Sequence, residues 1–292
     1  MYELVKLAEN SYCIECPAKI GVYRINDTEV ALIDSGSDKD AGKKVLRILK
    51  ENGWQLKAIF NTHSHADHIG GNKYLQDNTG CRIFAPGIEA AFTAYPLLEP
   101  AHLYGGFPPK DLMHKFLMAQ PSNAEVIALE ALPEGLEMIS LPGHSYDMAG
   151  FRTRDDVVYL ADSLSSRETL EKYGVGYMVD VKNHLETLEK VKNMQAKVFV
   201  PSHAQVSEDV KALAQFNIDA ITALGERILE LCANPVHFDE LLESLFDAYG
   251  MTMTAQQHAL IGSTLKSCLT WLENDDRAEH FIDNRRMLWR CK

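Results

Sequence analysis

The sequence predicts an α/β fold followed by a mainly helical region, and three observations carry that prediction. Apolar runs of strand length surround one clear helical pattern in the first third of the chain. Several of the later runs end directly on histidine or aspartate. After His203 the short runs give way to three long stretches with helical periodicity.

Residues 11–15, 20–25 and 29–33 read as strands separated by turn residues, with Asn26-Asp27 as a hairpin turn. Ser37 is placed to cap a helix over 38–52, which carries Ala41, Val45, Ile48 and Leu49 on one face and stops at Gly53. The apolar run 56–60 is the next strand. Residues 135–141 form a short strand ended by Pro142-Gly143. Residues 157–161 are continuously apolar, the pattern of a strand buried on both faces that delivers Asp162 at its end. Residues 197–200 are a further strand, closed by Pro201-Ser202. Helices are predicted over 209–231, 238–249 and 254–274, and a strand pair over 278–289. The change of character divides the chain into a domain over 1–205 and a helical module over 206–292.

Chemistry is concentrated in His63-Ser64-His65-Ala66-Asp67-His68, three imidazoles and a carboxylate in six residues directly after a strand. Such an H-x-H-x-D-H run arises by chance in roughly one chain in a thousand of this length. His144, Asp162 and His203 each follow a strand in the same way. If the four strands lie side by side in one sheet, their ends share an edge and the ligands converge there. Seven candidate ligands are too many for one ion: a structural zinc takes four, and a catalytic zinc takes three plus a water. His63 and His65, two apart on an extended segment, should face the same way. The side chains of Asp67 and His68 should diverge.

These residues resemble those of the metallo-β-lactamase superfamily, and of its glyoxalase II-like branch in particular. The resemblance covers about residues 1–205 and implies an αβ/βα sandwich, two mixed β-sheets flanked by helices. It implies a first metal site at His63, His65 and His144, a second at Asp67, His68 and His203, and Asp162 bridging both. It also implies that Asp34, in Ile33-Asp34-Ser35-Gly36, supports the metal loop from outside the ligand set; otherwise Asp34 is an ordinary turn residue. The implied activity is hydrolysis of a small thioester, lactone or related ester-like carbonyl, by a hydroxide bridging two ions about 3.5 to 4 Å apart. Asp67 is the carboxylate assigned to orient that nucleophile or pass its proton. Two divalent ions are expected, Zn2+ first, although imidazole and carboxylate also suit iron and manganese.

Two other classes of function stay open. Persulfide dioxygenases resemble glyoxalase II and hold a single iron by two histidines and an aspartate, a triad obtainable here from His63, His144 and Asp162. Flavodiiron oxygen reductases place glutamate where this chain has His65, which counts against that branch. A non-catalytic metal-binding or regulatory protein is the third reading, and seven ligands exceed what a structural site needs.

Composition narrows the partners. A net charge of −12 disfavours the phosphate backbone of nucleic acid, so a small-molecule substrate is expected. No run of 18 apolar residues predicts a membrane span, and the N-terminal segment does not read as a signal peptide, which makes the cytoplasm the expected compartment. Six scattered cysteines, with one C-x-x-C at Cys13 and Cys16, are expected to be free. The stretch 94–122 is rich in aromatic residues and methionine, a candidate lid or acyl-binding wall with subunit contact or core packing as the alternative; His102 and His114 within it are not assigned a role. The order of elements after 205 hints at a winged-helix-like module. Its 8 basic and 14 acidic residues, net −6, point away from DNA and toward a homodimer contact or a substrate pocket. The basic residues and tyrosines that bind glutathione in glyoxalase II find no match there.

Overall fold

The computed structural model describes residues 2–292. Its first sheet runs in spatial order through β1 (Glu3–Lys6), β2 (Ser11–Glu15), β3 (Ile20–Arg24), β4 (Glu29–Ile33), β5 (Gln55–Phe60), β6 (Arg82–Ala85) and β7 (Ala124–Val126). The first four strands pair antiparallel, and from β4 onward the pairing is parallel. A second sheet takes β8 (Leu136–Ser140), β9 (Ala149–Thr153), β10 (Val157–Ser165) and β11 (Val198–His203) in the order β11-β10-β9-β8, with β10 and β11 parallel.

Strand alternation assigns each side chain to a layer. On β2 and β4, Tyr12, Ile14, Val30 and Leu32 face the helices α1 (Lys39–Glu51) and α3 (Asn72–Thr79). Their neighbours Cys13, Ala31 and Ile33 face the second sheet and meet Phe151, Val157 and Tyr159. Phe60, Phe84 and Phe151 fill this middle layer, with Phe60 and Phe84 stacked at 5.2 Å. Burial of each contributes about 1.5 to 3 kcal/mol. Val158 and Leu160 of β10 face outward onto α7 (Val181–Lys192) and α8 (Lys211–Leu231). The layers therefore run helix, sheet, sheet, helix, which is the αβ/βα sandwich.

Local chemistry adjusts several boundaries. The cap of α1 is Asp38, not Ser37: its carboxylate accepts from the amides of Asp40 and Ala41, two of the free donors at the helix start. The strand carrying Asp162 does not end before it. β10 continues to Ser165 through register shifts around Ala161, whose φ of 52° marks a bulge that re-aims the next side chain. The ligand-bearing strands also do not share one sheet, since β5 lies in the first sheet and β8, β10 and β11 in the second. Their ends meet because the two sheets are stacked.

After β11, the helix α8 is followed by β12 (Val236–His237), α9 (Phe238–Ala248), α10 (Ala255–Asn274) and the hairpin β13 (Ala278–Asp283) and β14 (Arg286–Cys291), with strand order β12-β14-β13. That is the order of a winged helix. Its core is continuous with the outer face of the second sheet, from Leu141 to Trp289. The face of α10 that bears Ala259 and Leu260 is covered by Leu103, Leu112 and Leu117 of the 94–122 stretch. Among the described residues, no helix is long and apolar enough to cross a membrane, and the six cysteines form no disulfide.

Candidate metal centre

The loop after β5 is anchored before it presents any ligand. Asp34, at the end of β4, sits at φ 66°, a left-handed conformation that aspartate tolerates better than most residues. Its carboxylate accepts from the Thr62 amide and the Thr62 hydroxyl, both at 2.8 Å, and from His68 Nδ1 at 2.8 Å. It therefore supports the loop rather than its own turn. Behind the loop, Gly70 and Gly71 lie against the backbone of Ser37 and Ser35 so closely that a Cβ on either would fall 2.2 to 2.3 Å from backbone atoms. Only glycine allows that approach.

The structure brings all seven candidate residues together, in two groups. His63, His65, His144 and Asp162 form one; Asp67, His68 and His203 form the other, and within each group the ligating atoms lie within 4.8 Å of one another. His63 Nε2 and His144 Nε2 stand 2.9 and 3.0 Å from His65 Nδ1. Asp162 spans the groups, with Oδ2 at 3.5 Å from His144 Nε2 and 3.2 Å from His203 Nε2, and Oδ1 at 3.2 Å from His68 Nε2. Asp67 Oδ2 lies 3.2 Å from His203 Nε2 and 3.7 Å from His68 Nε2. Asp67 and His68 thus converge instead of diverging. They open the short helix α2 (Ala66–Ile69), where neighbours are separated by about 100° rather than the 180° of a strand.

Outer hydrogen bonds fix which imidazole nitrogen faces the centre. Nδ1 of His144 bonds the Tyr177 carbonyl at 3.0 Å, and Nδ1 of His203 bonds the Pro17 carbonyl at 3.0 Å. Thr62 Oγ1, already donating to Asp34, is 3.0 Å from Nδ1 of His63 and can only accept there. The inward nitrogens of His63 and His144 are therefore bare lone pairs, packed against the inward nitrogen of His65. His68 Nε2 and Asp162 Oδ1 are buried, and neither forms a hydrogen bond to a described residue. Converging lone pairs beside buried polar atoms that have no hydrogen-bond partner fit divalent cations.

The two groups differ in charge state. Burial pushes His65 and His144 down to about 4 and His63 well below its usual value, so the first group holds neutral imidazoles. Asp162 raises His203 to about 10, outweighing burial. For His68, burial is opposed and overcome by Asp162, Asp67 and Asp34, which hold it well above 6.5. Asp162 itself, despite burial, is held well below the usual carboxylate range by His203 and His68.

Some neighbours carried no signal in the sequence. Glu89, on α4 (Glu89–Ala94), accepts from the Ser64 amide and hydroxyl and so braces the loop between His63 and His65. Glu99, on α5 (Leu98–Tyr104), places Oε1 3.7 Å from His65 Nε2, and burial followed by Glu89 raises its carboxyl to about 8. Both belong to short helices without any ligand spacing. Of the two unassigned histidines, His102 Nδ1 lies 3.2 Å from the Tyr146 hydroxyl, and His114 accepts from the Phe116 amide.

Residues 14–203 match the Metallo-beta-lactamase superfamily. The hydroxyacylglutathione hydrolase of Bradyrhizobium sp. (strain ORS 278) is 31% identical over 146 residues, 49% of this chain and 48% of that protein. An atrochrysone carboxyl ACP thioesterase of Aspergillus fumigatus is 22% identical over 192 residues, 65% of this chain and 52% of that protein. The chain spans about half the length of these curated relatives. A metallo-beta-lactamase family protein of Thermus thermophilus superposes over 100% of this chain and 98% of its own, with TM-score 0.70 and 18% identity. A beta-lactamase domain protein of Burkholderia ambifaria does so over 99% and 94%, with TM-score 0.71 and 16% identity. Those two likenesses concern the fold, whereas the family match covers most of the chain and ends on His203, the last of the candidate ligands. The chain belongs to the metallo-beta-lactamase superfamily.

Proposed function

We propose that this protein is a dinuclear metal-dependent hydrolase acting on a small thioester, lactone or related ester-like carbonyl. The observation that carries the reading is the position of Asp162, whose two oxygens reach histidines of both groups at 3.2 to 3.5 Å. In this reading His63, His65 and His144 hold one ion, Asp67, His68 and His203 hold the other, and Asp162 joins them. Two such ions polarise a carbonyl and activate a water for attack on it. The protein's part is to hold the inward lone pairs in place and to receive protons. Asp67, half exposed and 3.2 Å from His203, is the carboxylate positioned to orient the nucleophile and take its proton. Two relatives named as thioester hydrolases support a thioester substrate among the ester-like options. Zinc is the proposed ion, with iron and manganese compatible with the same donors.

The test is metal analysis of protein purified without chelator, together with turnover of a panel of thioesters and lactones. Two zinc or manganese ions per chain with hydrolysis is the expected result. One iron per chain with oxygen-dependent turnover and no hydrolysis would replace the reading with an iron oxidoreductase of the persulfide dioxygenase type. Bound metal without any turnover would leave a non-catalytic binding protein.

A further inference from the structure

A cavity of about 70 Å³ leads from His144, Asp162 and His203 into the space beneath the segment that joins β10 to α7. Its walls are Leu164, Leu170, Met178, Ile221 and Leu224. At roughly 10 to 15 Å³ for each water-sized group, it has room for about five to seven heavy atoms. Ser165, Tyr177, Asn217 and His184 add polar groups to the lining; Asn217 is engaged by the Ser165 backbone, whereas His184 of α7 is 6% exposed and has an Nδ1 without a hydrogen-bond partner. An imidazole nitrogen in that position can donate to or accept from a polar group on a ligand. An unsatisfied buried group of this kind is destabilising until a ligand satisfies it.

The cavity is built, not incidental. Ile221 and Leu224 are three apart and share a face of α8. Asn217, one turn earlier on that face, clasps the backbone of Ser165, accepting from its amide at 3.0 Å and donating to its carbonyl at 2.9 Å. The helix that floors the cavity is thereby tied to the strand that carries Asp162. α8 lies beyond the residues matched by the family, 14–203, so this wall is a property of this chain's C-terminal module.

We propose that this cavity is the acyl pocket: it receives an acyl chain of about four to six carbons, and His184 hydrogen-bonds a hydroxyl or oxo group carried on that chain. The proposal rests on the hydrolase reading. Water adds to the acyl carbon, the bond to the leaving sulfur or oxygen breaks, and the leaving group takes a proton. The product is a carboxylate whose chain occupies the same cavity, which makes simple carboxylates probes of the pocket without turnover.

The experiment titrates metal-loaded protein calorimetrically with acetate, butanoate, hexanoate and octanoate, and with 3-hydroxybutanoate against butanoate. In parallel it measures kcat/KM for the matching acyl thioesters of one common thiol. Affinity should rise about fourfold per added methylene up to five or six carbons and then stop rising. Ile221→Trp should reduce hexanoate binding at least tenfold more than acetate binding, and Ile221→Ala should move the optimum to a longer chain. His184→Leu should remove the preference for 3-hydroxybutanoate over butanoate. Equal affinity across the series, or an equal loss for acetate and hexanoate in Ile221→Trp with Ile221→Ala unshifted, overturns the pocket. Length-dependent binding without turnover of any thioester or lactone keeps the pocket and removes the hydrolase reading; turnover indifferent to chain length does the reverse.

Discussion

The two halves of the ligand cluster are built on opposite electrostatic plans. Around His63, His65 and His144 burial holds the imidazoles neutral, so on the two-ion reading an ion would bind there without deprotonating a ligand. Around His68 and His203, three carboxylates surround imidazoles that hold their protons in the metal-free protein. An ion can enter there only by displacing protons. The first half is the more enclosed, its histidine side chains between 0 and 17% exposed, while in the second half Asp67 and His203 are 43% and 31% exposed and only His68 is fully buried. One centre therefore pairs a preformed half with a half that exchanges with solvent, and Asp162 is the element common to both.

Asp162→Ala should have the largest effect because it breaks that common element. Two dications held by the two groups would repel each other in a buried site, and a shared carboxylate between them would offset that repulsion. On the two-ion reading, metal content should fall from two toward one per chain and hydrolysis should be lost. Full occupancy with retained activity would end the bridging assignment.

Acidification sharpens the contrast without any mutation. His203 at about 10 means that its proton competes with the ion throughout the neutral range, and the competition strengthens tenfold for each pH unit below that value. His65 and His144, at about 4, compete only in strong acid. Lowering the pH from 8 to 6 should therefore weaken retention at the second group by about a hundredfold per competing proton while the first group is little changed. Metal content after dialysis at each pH should step from two to one before it reaches zero. A single-step loss of both ions would show that the halves do not differ as their charges imply.

Much of this centre was legible because each ligand stands next to a feature that is itself readable. The H-x-H-x-D-H run follows an apolar strand, and His144 and His203 follow Pro-containing strand ends. The helical order after 205 was legible from periodicity alone. What escaped was whatever depended on the third dimension. Nothing in residues 56–60 and 157–161 says that they belong to different sheets. Asp67 and His68 read as adjacent residues with diverging side chains because the single turn of α2 is too short to show a period. Ser37 and Asp38 are both capping residue types, and only backbone geometry chooses between them. Glu99 reads as one more helical glutamate until burial sets it beside His65.

Asp34 gives the smallest effect and the finest division between the halves. Its carboxylate bonds His68 of the second group directly and reaches His63 of the first only through Thr62. Removing it should weaken ion retention by about 10- to 100-fold, and more at the second group than at the first. Asp34→Ala alone would confuse two causes, because a φ of 66° costs alanine about 1 to 2 kcal/mol whatever the metal does. Asp34→Gly removes the same carboxylate and relieves the backbone. If the carboxylate orients His68, both variants should lose the second ion to a competing chelator at similar rates, while only Asp34→Ala shows the added loss of thermal stability. Wild-type retention in Asp34→Gly would mean that Asp34 serves the turn alone, and that the loop keeps His68 in place through Ser35 and the close glycine contacts.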